Sequence, residues 1–285
     1  MDGILTEQEV LSLLPNRGKE TSKHDYGKLL AVCGSTYYRG AASLSCGGAL
    51  RCGVGIVTLA SIEKVIACVA SSRPECTFLP LAESENGTVA ASNSRKIIKD
   101  SAKYKTVLIG CGLAIDGDTR SLVKTVVPEI NSLLVIDADG LNIISECPEI
   151  LKQTKKPAVI TPHFGEMARL CKKTREEVAE APLVTAMRFA EEYNCTVVLK
   201  SHITYIATPE GAVAINSKKG NSGLAKGGSG DVLAGMMASF CAQGLDPFSA
   251  AKCGVYLHAD AADRCAEQLS ERAMLPGDLI DYICK

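Results

Sequence analysis

The chain has 285 residues, 46% of them hydrophobic, and a formal charge of -1: enough apolar material for a filled core and too little positive charge to draw nucleic acid. The densest basic clusters, Lys155-Lys156 and Lys218-Lys219, are too short to form a patch. No charged-then-apolar leader opens the chain and no apolar run is long enough to span a bilayer, so these features point to a cytoplasmic globular protein of one domain, residues 1–285. The thirteen cysteines include no Cys-x-x-Cys pair and sit in apolar runs such as Leu30-Ala31-Val32-Cys33, which predicts buried free thiols rather than disulfides or zinc ligands.

Taken in order, a polar segment runs to Gly27, with a short helix from Thr6 to Leu14 stopped by Pro15. Lys28 to Cys33 reads as a strand, and the small residues Gly40-Ala41-Ala42 lead into a helix ending at Arg51. These small residues suit a pocket wall and close helix–sheet packing equally. Strands follow at Gly55–Ala60, Glu75–Leu81, Thr106–Ile109, Leu133–Ile136, Ala158–Thr161 and Thr196–Leu199, interleaved with helices at Ile62–Ala70, Ser92–Ser101, Thr119–Val127 and Leu183–Tyr193. Short β-branched runs alternating with amphipathic helices imply an α/β fold, a mostly parallel sheet with helices on both faces. Tyr205–Thr208 and Ala212–Ile215 flank Pro209-Glu210-Gly211 as a hairpin, and the rest is helical: Asp231–Gln243, Pro247–Leu269 and a short piece from Pro276.

Chemistry-bearing residues recur at strand ends. Asp137 and Asp139 suit a Mg²⁺ ion or, for Asp139, a helix cap, with the cap the better reading. His163, beside Pro162, reads as a rim residue or a structural hydrogen-bonding one, and Lys200 as a phosphate contact or an exposed lysine. The densest motif runs from Asn221 to Gly235, where Gly227, Gly228 and Gly230 precede Asp231 and an apolar helical stripe of Val232, Leu233, Met236 and Met237. A glycine loop opening a helix gathers unpaired N–H groups and the positive end of the helix dipole, an anion site. Asp231 reads alone as a cap and in this context as a general base, kept ionised by the dipole.

The ordered set Gly40-Ala41-Ala42, Ala49–Leu59, Gly110-Cys111-Gly112-Leu113, Val135–Asn142, Thr161-Pro162-His163-Phe164-Gly165-Glu166-Met167, Val198–Ser201 and Asn221–Gly235 resembles the NAD(P)H-hydrate dehydratase family of the ribokinase-like superfamily, from about residue 24 onward. The resemblance implies repair of NADH hydrate or NADPH hydrate: a nucleoside phosphate, with Mg²⁺, phosphorylates the C6 hydroxyl, and phosphate is then eliminated. Carried over residue by residue, Ala42, Gly112, His163 and Asp231 would bind the hydrate. Lys200, Ser201, His202, Ile203, Thr204, Asn221, Gly228 and Gly230 would bind the nucleotide, and Asp231 would be the base. No protein-held metal is implied. Ser222 and Cys111 stand where proline is usual. The compact chain, too short for an added epimerase domain, favours ADP over ATP, and the family's habit implies a homotetramer, for which the small residues Ala251, Gly254, Ala259, Ala261 and Ala262 offer a close-packing face. A plain vitamin or sugar kinase would share the anion site and Asp231 but not the Pro-His-x-Gly-Glu turn. A non-catalytic nucleotide-binding regulator would have lost the acid.

Overall fold

A computed structural model describes residues 3–284 and contains one nine-stranded sheet. In chain order the strands are β1 (Lys28–Val32), β2 (Ile56–Ser61), β3 (Thr77–Pro80), β4 (Thr106–Ile109), β5 (Leu133–Ile136), β6 (Val159–Ile160), β7 (Thr196–Leu199), β8 (Thr204–Ala207) and β9 (Val213–Asn216). The helices are α1 (Glu7–Leu13), α2 (Arg39–Arg51), α3 (Glu63–Ser72), α4 (Ser94–Ser101), α5 (Gly117–Val126), α6 (Asp139–Ile144), α7 (Phe164–Cys171), α8 (Arg175–Glu180), α9 (Pro182–Tyr193), α10 (Ser229–Gln243), α11 (Pro247–Leu269) and α12 (Pro276–Leu279).

Strand order is β3-β2-β1-β4-β5-β6-β7-β8-β9, parallel as far as β7 and antiparallel through the β7-β8-β9 meander. The alternation of strands and helices requires this: each parallel neighbour is reached by a helical crossover, whereas Pro209-Glu210-Gly211 lets β8 turn straight back into β9. The chain winds outward from β1 in both directions, so the sheet reverses between β1 and β4. In open sheets of this kind the reversal is where loops leaving the carboxyl ends diverge and ligands bind.

Two readings change in detail. Strand β6 has only two residues, because Thr161 and Pro162 leave the ladder, yet its line resumes where His163 bridges Lys200. Helices α7 and α8 occupy a stretch where no helix is predicted. Both begin with a capping box, His163 with Glu166 and Thr174 with Glu177, and the second is a Thr-x-x-Glu signature legible in the chain itself.

Helix α10 is buried along nearly its whole length, and its seat on α2 is made of backbone. A Cβ on Gly235 would come 2.0 Å from the Ser45 carbonyl oxygen, and one on Gly48 would come 2.5 Å from that of Val232. Across the other side, Gly254 of α11 leaves room for Met237, since a Cβ there would lie 2.6 Å from its Cγ. The small residues of α11 are therefore spent inside the chain: Ala251, Gly254, Ala259, Ala261 and Ala262 are all buried against its own core.

Gly235→Ala forces α2 and α10 apart and should cost about 3 kcal/mol, the upper range for overpacking. Gly244→Ala, at a left-handed helix end with open space around it, should cost only about 1 kcal/mol. Urea midpoints of the two variants check this, and equal losses would show that the α2–α10 seat is not tight.

Candidate active site

The carboxyl ends of β1, β4, β5, β6 and β7 are stitched together by backbone hydrogen bonds. Gly34 donates to the Cys111 carbonyl at 2.8 Å, Asp137 to that of Ile109 at 3.2 Å, Thr161 to that of Ile136 at 3.2 Å and Lys200 to that of Pro162 at 2.8 Å. Gly110 (φ 127°) and Gly112 (φ 65°) adopt positive φ. A Cβ on Gly110 would stand 2.0 Å from the Asp137 carbonyl, so the loop after β4 closes on β5 only with glycine there.

Helix α10 brings its N-terminus onto this edge. Its first residue is anchored by His258 of α11, whose Nε2 lies 3.0 Å from the Ser229 carbonyl oxygen. Of the three loop glycines only Gly228 has positive φ, 104°, and it caps the helix without a side chain. The N–H groups of Gly230 and Asp231 have no hydrogen-bond partner among the described residues, so they face the edge as free donors. Asp231 makes no capping bond.

Asp231 belongs to a compact polar group. It, Cys111 and Asp137 each bring a side-chain atom to within 4.8 Å of the others. Asp137 is 2% exposed and takes the Lys200 ammonium on Oδ1 at 2.8 Å, while its Oδ2 faces the Cys111 thiol at 4.0 Å. Burial raises the proton affinity of Asp231, the Asp137 charge raises it further, and the Cys111 thiol and Lys200 pull the other way; it stands at about 6. The helix dipole favours the ionised form. Burial outweighs it, and the carboxylate is still mainly anionic at neutral pH but a stronger base than an ordinary aspartate. Burial likewise lifts Glu166 to about 7.

Asp139 does not cap α6. Its Oδ2 accepts the Ala114 N–H at 2.9 Å, holding the loop after β4. Asp137 is bound to lysine, so neither acid is left as a free metal ligand. Cys111, Asp137 and Asp231 are the one group of possible ligands among the described residues, and they suit Mg²⁺ poorly: sulfur is a soft donor, and Lys200 already neutralises Asp137.

The remaining predicted residues divide. His163 stands beside Lys200 with its side chain 55% exposed, and its Nδ1 accepts the Glu166 N–H at 3.1 Å, so it is both rim and helix cap. Burial pushes its proton affinity below the usual histidine range, which leaves a neutral ring with Nε2–H as donor. Gly112 is buried beneath Tyr38 and Ala41. Ala42 is fully buried behind Gly34 and presents no side chain to the crevice. Ser201 folds its hydroxyl onto the Ile203 carbonyl at 2.7 Å in a tight loop that leaves His202 exposed and starts β8 at Thr204. Asn221 is tied to the Gly223 N–H and to Asp263 of α11, beside a cleft of about 500 Å³ lined by Asp263, Glu267 and Glu271, a surface that repels phosphate. Of the nucleotide set, Gly230 lies against Lys200 in the first turn of α10 and Gly228 is the cap of that helix. Sequence reasoning gave Asp137 only a possible Mg²⁺ role and left Glu166 and Cys111 without one; the contacts of all three were legible only from the fold.

A mostly parallel sheet of this strand order, with a helix N-terminus brought onto its carboxyl edge, is the ribokinase-like fold. A family model described as NAD(P)H-hydrate dehydratase matches residues 29–285, and the chain belongs to that family. A bifunctional NAD(P)H-hydrate repair enzyme of Moorella thermoacetica is 39% identical over 280 residues, 98% of this chain and 53% of its own length. An ADP-dependent (S)-NAD(P)H-hydrate dehydratase of Xanthomonas campestris is 33% identical over 257 residues, covering 90% of this chain and 86% of its own. The crystal structure of the ADP/ATP-dependent dehydratase of Bacillus subtilis, co-crystallised with ATP/Mg²⁺, superposes with a TM-score of 0.83 at 29% identity over 99% of this chain and 97% of that one. The chain spans about half the length of the bifunctional relatives it matches.

The raised proton affinity of Asp231 has a thermodynamic signature. Its folded value of about 6 lies above the unfolded value of about 3.9, so the native state binds the proton more tightly and loses stability as pH rises through 6. Asp231→Asn does not titrate and should gain about 1 kcal/mol on the wild type between about pH 5 and pH 8. Thermal melts of both proteins across that window check the sign, and a constant difference would place the carboxyl at an ordinary value.

Proposed function

We propose that the protein is an ADP-dependent (S)-NAD(P)H-hydrate dehydratase that returns hydrated NADH or NADPH to the dihydronicotinamide, with release of AMP and phosphate. The observation that carries this reading is the placement of Asp231 beside the two free N–H groups of α10 and the Lys200 ammonium, within a chain of the dehydratase family. Asp231 takes the proton of the C6 hydroxyl as that oxygen attacks the terminal phosphoryl group of the donor. The N–H groups of Gly230 and Asp231, the helix end and Lys200 receive the negative oxygens, and the same donors hold phosphate as the C6–O bond breaks, the proton lost from C5 passing to the departing phosphate as the C5=C6 double bond forms. The neutral His163 ring at the rim holds the hydrate rather than reacting with it. Mg²⁺ arriving with the donor would supply charge neutralisation on its phosphates, and the Cys111–Asp137–Asp231 group suits it poorly as a ligand set.

The further elements of the proposal are a single domain over residues 1–285, a cytoplasmic location consistent with thirteen free cysteines, and a homotetramer. The tetramer rests on the family resemblance, since the small residues of α11 face inward. A plain kinase of this fold would stop at the phosphate ester.

Incubation of the protein with hydrated NADH and either ADP or ATP should restore the dihydronicotinamide absorbance, faster with ADP. Recovery with neither donor would overturn the assignment, and a stable phosphate ester would establish the kinase instead. Asp231→Asn keeps shape and should lower kcat by about 10²- to 10⁴-fold while nucleotide still binds; unchanged turnover would leave the acid without a catalytic role. His163→Ala should raise KM for the hydrate more than it lowers kcat and cost about 1 kcal/mol of stability through the lost cap. A collapse of kcat at constant KM would move His163 into the chemistry.

A further inference from the structure

Asp137 closes the β5 strand as a buried carboxylate whose two oxygens do different things. Oδ1 takes the Lys200 ammonium at 2.8 Å, and Oδ2 faces the Cys111 thiol at 4.0 Å on the side where Asp231 completes the group within 4.8 Å. The pair lies directly against the first turn of α10. A Cβ on Gly230 would come 3.3 Å from Lys200 Nζ and 3.7 Å from Asp137 Oδ2, so a larger residue would press on the ammonium.

A lysine at a strand end, with its four-carbon stem, loses much rotamer freedom when fixed at one spot. Here Asp137 provides the anchor. Backbone geometry holds both partners: Lys200 N–H donates to Pro162 at 2.8 Å and Asp137 N–H to Ile109 at 3.2 Å, so the ion pair spans three neighbouring strands of the sheet edge.

We propose that Asp137 is a positioning residue of the reaction, which holds the Lys200 ammonium at the helix end where the phosphoryl group arrives and sets the charge against which Asp231 works as base. The inference rests on Asp231 being that base. Asp137 never touches substrate; it acts through Lys200 and Asp231. Burial alone would press the Lys200 proton off, and the Asp137 and Glu166 carboxylates outweigh it, so the ammonium stays charged. The same Asp137 charge makes Asp231 a stronger base, while Lys200 limits that effect. The groups facing Asp231 are Asp137 and Asp139 from the β5 end, Cys111 from the loop after β4 and Lys200 from the β7 end. Lys200 and Asp137 also face Glu166 and His163 of α7. Asp137 and Lys200 act on Asp231 and Glu166 with the same respective signs, so for each single variant the direction below does not depend on which carboxyl sets the acid limb of the profile.

The test is the pH profile of kcat/KM for wild type, Asp137→Asn and Lys200→Met, in which the ionisations of ADP and hydrate are common and cancel. Asp137→Asn should move the acid limb down by about half a pH unit or more and lower the plateau kcat about tenfold. Lys200→Met should move the limb up and raise KM for ADP. A carboxylate that only stabilises the fold would lower the melting temperature and leave the limb in place, and that result overturns the proposal. If Asp137→Asn does not fold, Asp137→Asn with Lys200→Met leaves neither member of the pair as an uncompensated charge. Asp137 acts on Asp231 more strongly than Lys200 does, so a limb set by Asp231 still moves down; Lys200 acts more strongly on Glu166, so a limb set there moves up; an unmoved limb overturns the proposal there too. An active Asp231→Asn enzyme would instead remove the base on which the inference rests, so the two failures are distinguishable.

Discussion

Helix α10 must begin at the carboxyl edge of the sheet with its first N–H groups unpaired, and nearly everything distinctive in the structure serves that constraint. An uncapped helix start near a buried surface is costly, because free donors there lose water. The chain meets the cost by packing the body of the helix backbone to backbone against α2 at Gly48 and Gly235, and by tying its first residue to His258 of α11. With the body and first residue held, the loop ahead of it has only to supply glycine at 228, where the left-handed turn needs it.

The same edge gathers charge. One lysine and two aspartates meet in a space a few ångströms across, an arrangement that folding alone would not favour, since a buried ion pair rarely repays its desolvation. An unpaired Asp231 against Asp137 is unfavourable at neutral pH by the very effect that raises its basicity. Instability localised at one acid, surrounded by a sheet edge stitched by backbone hydrogen bonds, is the pattern of a site preorganised for a charge that arrives with the substrate.

Much of this was legible in the chain because it rests on local rules. The β-branched runs ending in glycine, acid or histidine marked the parallel strands, and the glycines before Asp231 marked the start of α10 at their carboxyl edge. What was not legible depended on distance in sequence. Asp137 and Lys200 lie 63 positions apart, and nothing near either residue announces that β5 and β7 flank β6 and so set them within 2.8 Å. The function of Asp139 was misread for the same reason: its position at a helix start suggests a cap, and only the closure of the β4 loop shows that it holds Ala114 instead. Small residues misled in the opposite direction. The alanines and glycine of α11 look like a face for another subunit, yet they are buried within the chain, and Gly254 leaves room for Met237.

Cys111 shows how a departure from a family pattern can be absorbed. The resemblance places proline at this position, between two glycines whose positive φ the loop requires. Proline has no N–H, and no hydrogen bond here depends on one: it is the Cys111 carbonyl, which proline also possesses, that accepts from Gly34. The backbone function of the loop therefore survives either residue. What cysteine adds is a thiol, fully buried and held neutral by Cys33 and burial, lying between two carboxylates that would otherwise repel across empty space. A weak donor of this kind tempers the proton affinity of Asp231 without neutralising it, whereas proline would leave the two acids to Lys200 alone. The loop thus separates two requirements, a backbone shape that glycine sets and a local polarity that the residue between the glycines adjusts.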